Sequence, residues 1–511
     1  MSRPQQRKLP KTKTPKKKQK EPETFDEFLS EGITCEEQGE RYATGERAQR
    51  NYEKAATMYS KASALNDKDA DCVYNWGRVL YILVGFYPAH ATPEEKLKTL
   101  DQSIEKFRRA LSLDSTKTDA HFNLGQALHM RSELLQDTTE IANSYTQSAT
   151  ALQEAISIFE SVYAVQEKEY NDQHASPSKD NDDNVQSTTP SSENEPSNKN
   201  DTKDDEYTTV TEVEPTTAYS LIDTLVSLAD AMTTMASMLA SYQSAVDLYS
   251  RARKHLSQAE KWLMVGTSTE DKEHKQARIQ ISLKEAQNLS SQAERSFLAT
   301  NKVDHRLFNQ AVDQLDKVLE HVDSQHVETH CDRGDILSTF GDHLCKEANA
   351  HHQSLDPETT GKSVWHIYSQ ADKSFKAALE KEPKNMSILN KLGDLSMSRA
   401  RLEIPVAERN RSQLIKNAEF YFKRAVETDR QVLTTGWIGW AYSTWALEQW
   451  TKVQGQKNEA SRIMKTWIKR GGCSDLFAEL TEDTDAIDQD FLEWVNESFF
   501  DEEEEETSDE E

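Results

Sequence analysis

The chain has 511 residues, 36% hydrophobic and 29% charged, little Gly or Pro, and a formal net charge of −27. That charge argues against a nucleic-acid-binding body, because phosphate repels an acidic surface, and it favours basic partners. No run of about 18 apolar residues is present to span a membrane, and no apolar stretch follows the basic N-terminus as a secretory signal would require.

The composition reads as a helical protein with extended polar segments, and the length suggests about three domains, a soft count if the chain is a repeat array. Five scattered cysteines, Cys35, Cys72, Cys331, Cys345 and Cys473, form no C-x-x-C pair and read as thiols of a reducing, intracellular compartment. Charge is polarised along the chain. Residues 1–20 carry nine Lys/Arg and no acid, whereas 501–511 carry nine Asp/Glu.

Residues 1–24 are Pro-interrupted and lack an apolar face, which predicts a disordered basic arm. Its cluster Lys11, Lys13, Lys16, Lys17, Lys18 and Lys20 has the character of a nuclear localisation signal, whose lysines dock on an import receptor; a non-specific polybasic arm has the same composition. Helices are expected from Phe25, with Phe25, Phe28 and Leu29 as an apolar edge. Gly39 and Tyr42, then Ala55, Tyr59 and Ala62, then Trp76 and Gly77, follow the spacing of a tetratricopeptide repeat. In that repeat a small residue lets two antiparallel helices approach, and an Ala-aromatic-Ala triplet fills the space between them. A second unit pairs Trp76 and Gly77 with Ser103, Phe107 and Ala110. A third pairs Gly125 with Ser148, Leu152 and Ala155, so 25–165 reads as an N-terminal repeat region.

Residues 166–215 are rich in Ser, Thr, Asn, Asp and Pro and predict a disordered linker, with Ser/Thr sites open to phosphorylation or simply spacing. Residues 216–480 predict a second helical-repeat region. The triplet recurs at Ala245-Tyr249-Ala252, Ala293-Phe297-Thr300 and Ala311-Leu315-Val318. It is nearest to consensus at Ala371-Phe375-Ala378, and returns with Gly393 at Ala418-Phe422-Ala425. Trp437 to Trp450 reads as a penultimate helix and Asn458 to Arg470 as the cap, leaving 481–511 as an acidic tail that holds Phe491, Trp494, Phe499 and Phe500. The fold class expected is all-α: a tetratricopeptide-like helical-repeat superhelix with a disordered basic N-terminus, an internal linker and an acidic tail.

No P-loop, dinucleotide fingerprint, nucleophile elbow or zincin motif occurs, so no catalytic, cofactor-binding or metal residue is assigned. His321, His326, His330, Cys331, His343, Cys345, His351 and His352 share one window, but their spacings match no common zinc pattern. A carboxylate clamp for chaperone tails is disfavoured, because Glu36 and Glu40 occupy the positions that should be Lys or Asn. Trp437, Trp440, Tyr442, Trp445 and Trp450 read as core, with a peptide-binding face as the alternative. The tail reads either as a solubilising segment or as a shield for basic clients. Thr507 and Ser508 sit in acidophilic-kinase contexts.

The opening EEQGERY at 36–42, the Tyr59-Ser60-Lys61-Ala62 segment and DCVYNWGRVLY at 71–81 resemble the fungal enhancer-of-translation-termination family. The resemblance is clearest over 36–83, weaker to 165, and architectural beyond. It implies an all-helical nuclear adaptor without chemistry of its own. Such an adaptor would bind a 2-oxoglutarate-dependent, Ofd-type prolyl hydroxylase and the basic small-subunit ribosomal protein uS12, influencing translation termination. The alternatives are an escort for another ribosomal protein, or a scaffold in a chromatin or transcription complex whose basic partners are histones.

Overall fold

A computed structural model describes residues 22–88, 91–138, 141–174, 215–265, 272–350, 354–428, 433–451, 453–481 and 487–500. Among these residues every regular element is an α-helix, and the helices pair into antiparallel hairpins of the tetratricopeptide type. The chain divides into two compact units, 1–144 and 145–511. The lysine cluster at 11–20, most of the 166–215 segment, His351, His352 and the acidic run 501–511 lie outside the described residues.

In the first unit α1 (Phe25–Tyr42) pairs with α2 (Gly45–Leu65), α3 (Ala70–Val84) with α4 (Pro93–Leu113), and α5 (Thr118–Gln136) follows. Their starts are written locally. Thr24 and Glu27 form a capping box on α1, Asp69 caps α3, and Thr92, Pro93 and Glu95 combine a capping box with a first-turn proline on α4. The packing rule of the α1–α2 hairpin is a seven-residue register on both sides. An added Cβ at Gly32 would lie 2.7 Å from the Tyr59 ring, and one at Gly39 would lie 2.8 Å from the Tyr52 ring. Gly77 likewise faces Phe107, and Ser103 Oγ donates to the Gly77 carbonyl at 2.7 Å, which explains the small polar residue at that place in the triplet. Ala55, Tyr59 and Ala62 are fully buried, Gly125 is buried, Trp76 is partly so, and Phe25, Phe28 and Leu29 pack on the α1–α2 core.

Tyr42 departs from the expectation. It is 47% exposed, because it is the last residue of α1 and lies at the end of the hairpin rather than inside it. The aromatic that fills the space is Tyr52, from the opposite helix.

The second unit starts with α6 (Ser144–His174), a 31-residue helix that runs nine residues beyond position 165, where the polar composition begins. It packs on α7 (Ala218–Met238) and α8 (Tyr242–Val265), with Thr224 Oγ1 donating to Gln166 Oε1 at 2.8 Å and Trp262 Nε1 to Tyr163 Oη at 3.1 Å. Neighbours on several sides explain why α7 is buried nearly all round. Then come α9 (Lys272–Thr300) with α10 (His305–His321), α11 (Val327–Ala350) with α12 (Thr360–Lys381), α13 (Met386–Arg401) with α14 (Pro405–Thr428), and α15 (Thr435–Thr451) with α16 (Gln456–Lys469). The seven-residue register returns in α11, where Gly334 faces Phe375 and Gly341 faces Tyr368. Phe422 of α14 is shared, since added Cβ atoms at Gly393 of α13 and Gly439 of α15 would each lie 2.6 Å from its ring. Ala371, Phe375 and Ala378 are all buried.

Two further readings need correction. Ala293 and Phe297 are buried, but on α9, the first helix of its hairpin, and Thr300 is exposed; the second-helix triplet there is Ala311-Leu315-Val318 on α10. The array also does not stop at α16, and the acidic tail expected from 481 contains a packed helix. α17 (Ser474–Thr481) and α18 (Gln489–Phe499) follow, and Phe491 and Val495 are fully buried in the core that holds Trp437, Trp445 and Trp467. Phe491 sits 5.2 Å from the Tyr442 ring and 5.6 Å from Trp445, so α18 covers an apolar face that α15 and α16 leave open.

Candidate functional site

Where a hairpin has a glycine that touches the partner helix, the next residue is turned about 100° away along the helix. In the second unit that residue is repeatedly an acid: Gly334-Asp335, Gly341-Asp342 and Gly393-Asp394. Asp332, Asp335 and Asp342, three and then seven residues apart, share one face of α11. Burial pushes the carboxyls of all three upward, although Gln287 Nε2 donates to Asp332 at 2.8 Å and Lys391 Nζ lies 2.5 Å from Asp335. On α7, burial and the neighbouring Glu273 push Asp223 up to about 6.

Asp342 and Asp394 open into a cavity of about 850 Å³ formed by α11, α12, α13, α14, α15, α17 and the residues before α18. Tyr368 Oη donates to Asp342 Oδ1 at 2.5 Å, and Lys346 and Arg401 partly offset the burial of that carboxylate. Among the described residues no hydrogen bond or ion pair reaches the Asp394 carboxylate. It is exposed to the cavity while protein encloses the space around it, and this desolvation, with Asp342 adding repulsion, pushes it up to about 7. The cationic Arg401 is already engaged, donating to Tyr442 Oη at 2.5 Å and pairing with Asp488 Oδ1 at 3.0 Å at the start of α18. Phe422, Met397, Ile438, Leu480 and Ile487 supply apolar wall. The arrangement is a cavity of mixed polar and apolar wall, lined by the cations Lys346 and Arg401 as well as by Asp342, in which the Asp394 carboxylate has no hydrogen-bonded or ion-paired partner among the described residues.

The equivalent face of the first unit is arranged differently. Glu36 is buried, accepting from Tyr59 Oη at 2.7 Å and pairing with Arg78 Nη2 at 2.7 Å, and Arg78 also lies 3.8 Å from Glu40. Asn123 Nδ2 donates to Tyr74 Oη at 2.8 Å. The positions tested for a chaperone clamp are therefore occupied by an internal network.

Of the other residues singled out by sequence, Trp437, Tyr442 and Trp445 are buried and Trp440 and Trp450 pack beside them, so the aromatic segment is core. The histidine window does not converge. His326 Nδ1 bonds Thr329 Oγ1 at 2.9 Å, His330 bonds the Ser324 carbonyl at 3.1 Å, and His343 stacks on Phe297 at 4.2 Å. Among the described residues no group of three such side chains is placed to hold a metal. Sequence reasoning passed over Asp342, Asp394 and Arg401; the recurring Gly-Asp dipeptide was the available signal.

A family model for the plant-specific mitochondrial import receptor subunit TOM20 matches residues 41–204. The UPF0656 protein C926.02 of Schizosaccharomyces pombe is 29% identical over 100 residues, 20% of this chain; the chain spans 22% of that relative's length. Among solved structures, the S. pombe nuclear import adaptor Nro1 is similar at 10% identity and a TM-score of 0.28, covering 79% of this chain and 95% of its own. The tetratricopeptide domain of P58(IPK) is similar at 9% identity and a TM-score of 0.20, covering 86% of this chain and 99% of its own. These matches are partial in sequence or remote in structure, and they do not place the chain in a family.

Proposed function

We propose that this chain is a non-catalytic nuclear adaptor that holds a basic protein segment in the cavity of its second unit. The observation that carries the reading is the Asp394 carboxylate, which faces the cavity with no counterion while Asp342 raises the local negative potential. A cationic side chain from a client would supply the missing charge, with its stem against Phe422 and Ile438. The sequence resemblance names the clients, a 2-oxoglutarate-dependent prolyl hydroxylase and the basic ribosomal protein uS12, and the outcome, an influence on translation termination. The Lys11–Lys20 cluster would serve import-receptor binding and nuclear entry. Nuclear import adaptor is the role described for Nro1, and it comes to this chain only as part of the proposal.

The test is affinity capture from native cells with the wild-type chain beside the Asp342→Asn/Asp394→Asn double variant, at low and moderate salt, with mass spectrometry of the partners. Salt-sensitive recovery of uS12 and the hydroxylase from the wild type, reduced in the variant, is expected. Recovery of histones or a different ribosomal protein would keep an acidic adaptor and overturn the named clients. Recovery indifferent to both salt and variant would overturn the cavity's role.

A further inference from the structure

A second cavity, of about 520 Å³, lies between α8, α9 and α10, and its charge is opposite to that of the chain as a whole. Three cations line it, Arg253 of α8 with Arg306 and Lys317 of α10, against two acids, Glu285 and Asp313. Arg253 is held in place without a carboxylate partner. Its Nη1 donates to Asn288 Oδ1 at 2.6 Å and to Gln292 Oε1 at 2.7 Å, and Asn288, fully buried, donates in turn to Thr233 Oγ1 at 2.7 Å. A guanidinium fixed by neutral acceptors is oriented but not neutralised. Burial holds Arg253 below its ordinary value; Glu285 opposes this, and Arg306 adds like-charge repulsion. Arg306 itself is exposed, and its side chain makes no hydrogen bond among the described residues. Lys317 Nζ donates to Gln314 Oε1 at 3.2 Å, an uncharged partner again.

Two guanidinium groups that repel one another across a cavity, with an ammonium beside them, match a tetrahedral dianion. It offers acceptor oxygens to several donors at once and removes the repulsion. A single carboxylate would satisfy only one of the two forks. We propose that the cavity between α8, α9 and α10 is a binding site for a phosphoryl monoester group.

The test uses the full-length chain at low ionic strength and measures binding by calorimetry. The probes are inorganic phosphate, a short phosphoserine peptide, and the same peptide with serine or glutamate in place of phosphoserine. Wild-type protein is expected to bind a phosphate-bearing probe, and Arg306→Gln to weaken that binding at least about tenfold through loss of a charge-assisted contact. Because Arg306 is exposed and unbonded, its variant keeps the fold; Arg253→Gln is the second variant, read only if its melting temperature matches wild type. Binding of inorganic phosphate with no preference for the peptide would assign a free small anion, and tighter binding of the phosphopeptide would assign a modified protein segment. The proposal is overturned if neither phosphate probe binds, if the glutamate peptide binds as well as the phosphopeptide, or if Arg306→Gln leaves affinity unchanged.

Discussion

The hairpin register makes a quantitative demand at Gly334. A Cβ added there would sit 2.4 Å from Phe375 Cε1, 2.6 Å from Cδ1 and 2.7 Å from Cζ. Carbon atoms prefer about 3.5–4.0 Å, so the ring would have to retreat by about 1 Å. Phe375 is buried between α11 and α12 and packed into a core that runs from α9 to α14, so little room exists for that movement. Overpacking of this kind costs about 1–3 kcal/mol, and the three simultaneous short contacts put Gly334→Ala at about 3 kcal/mol. Better helix propensity returns about 1 kcal/mol, leaving a net loss of about 2 kcal/mol. The assay is urea unfolding followed by circular dichroism and tryptophan fluorescence, with Gly334→Ala, Phe375→Leu and the double variant in one cycle. The smaller side chain should recover at least about 1 kcal/mol relative to the summed single losses. A Gly334→Ala chain more stable than wild type would show that helix propensity alone governs the position, and the register argument would fail.

Glu36→Ala should destabilise the first unit by about 2 kcal/mol, because it strands the Tyr59 hydroxyl and one end of Arg78; an unchanged urea midpoint would refute this. His343, half-buried against Phe297 and Phe308, is held down to about 4 in the folded state, by burial first and Lys346 second, from an ordinary value of 6.5. The unfolded chain therefore binds a proton that the folded chain refuses, and this contribution to stability is lost as pH falls from 6.5 towards 4. His343→Gln should lose less stability than wild type between pH 7.5 and pH 4.5, as unfolding at the two pH values would show. Asp394 titrates with the opposite sense. Its folded value of about 7 lies above the ordinary 3.8, so stability falls as pH rises through that window, and Asp394→Asn should gain more at pH 8 than at pH 5. Phe491→Ala should cost about 3 kcal/mol of α18 docking, read as protease cleavage after residue 487 in a chain whose other hairpins stay protected.

Much of the fold was legible because the two periodic signals of a helical hairpin, small residues on one helix and aromatics on the next, survive in the sequence. Ala371-Phe375-Ala378 and Ala418-Phe422-Ala425 mark second helices directly. What misled was proximity in sequence. Tyr42 lies near Gly39 along the chain but at the exposed end of α1, whereas Tyr52 reaches Gly39 from the facing helix. Ala293-Phe297 shows that an Ala-aromatic pair fills a gap from either side of a hairpin. The last helices were hidden by composition, because Phe491 and Val495 are four residues apart amid acids, and only the tertiary fit with Tyr442 and Trp445 reveals them as core. The candidate cavity was illegible for a related reason. Asp342 and Asp394 are 52 residues apart, and in a chain with 88 acids the Gly-Asp dipeptide they share is too weak a signal to pair them before the helices bring them together.

Phe422 is a single ring seated against glycines of two different helices, one before it in the chain and one after. Helical repeats often peel apart from their ends, because each contacts only its neighbours. Here α13, α14 and α15 meet on one side chain, and withdrawing either flanking helix uncovers the same aromatic surface. Amide protons in α13 and α15 should therefore exchange through a common opening with a common free energy, rather than as a gradient along the array. Since Phe422 also forms part of the cavity wall, that opening is the event that dissolves the cavity. The acidic floor and the hairpins that carry it share one unfolding unit.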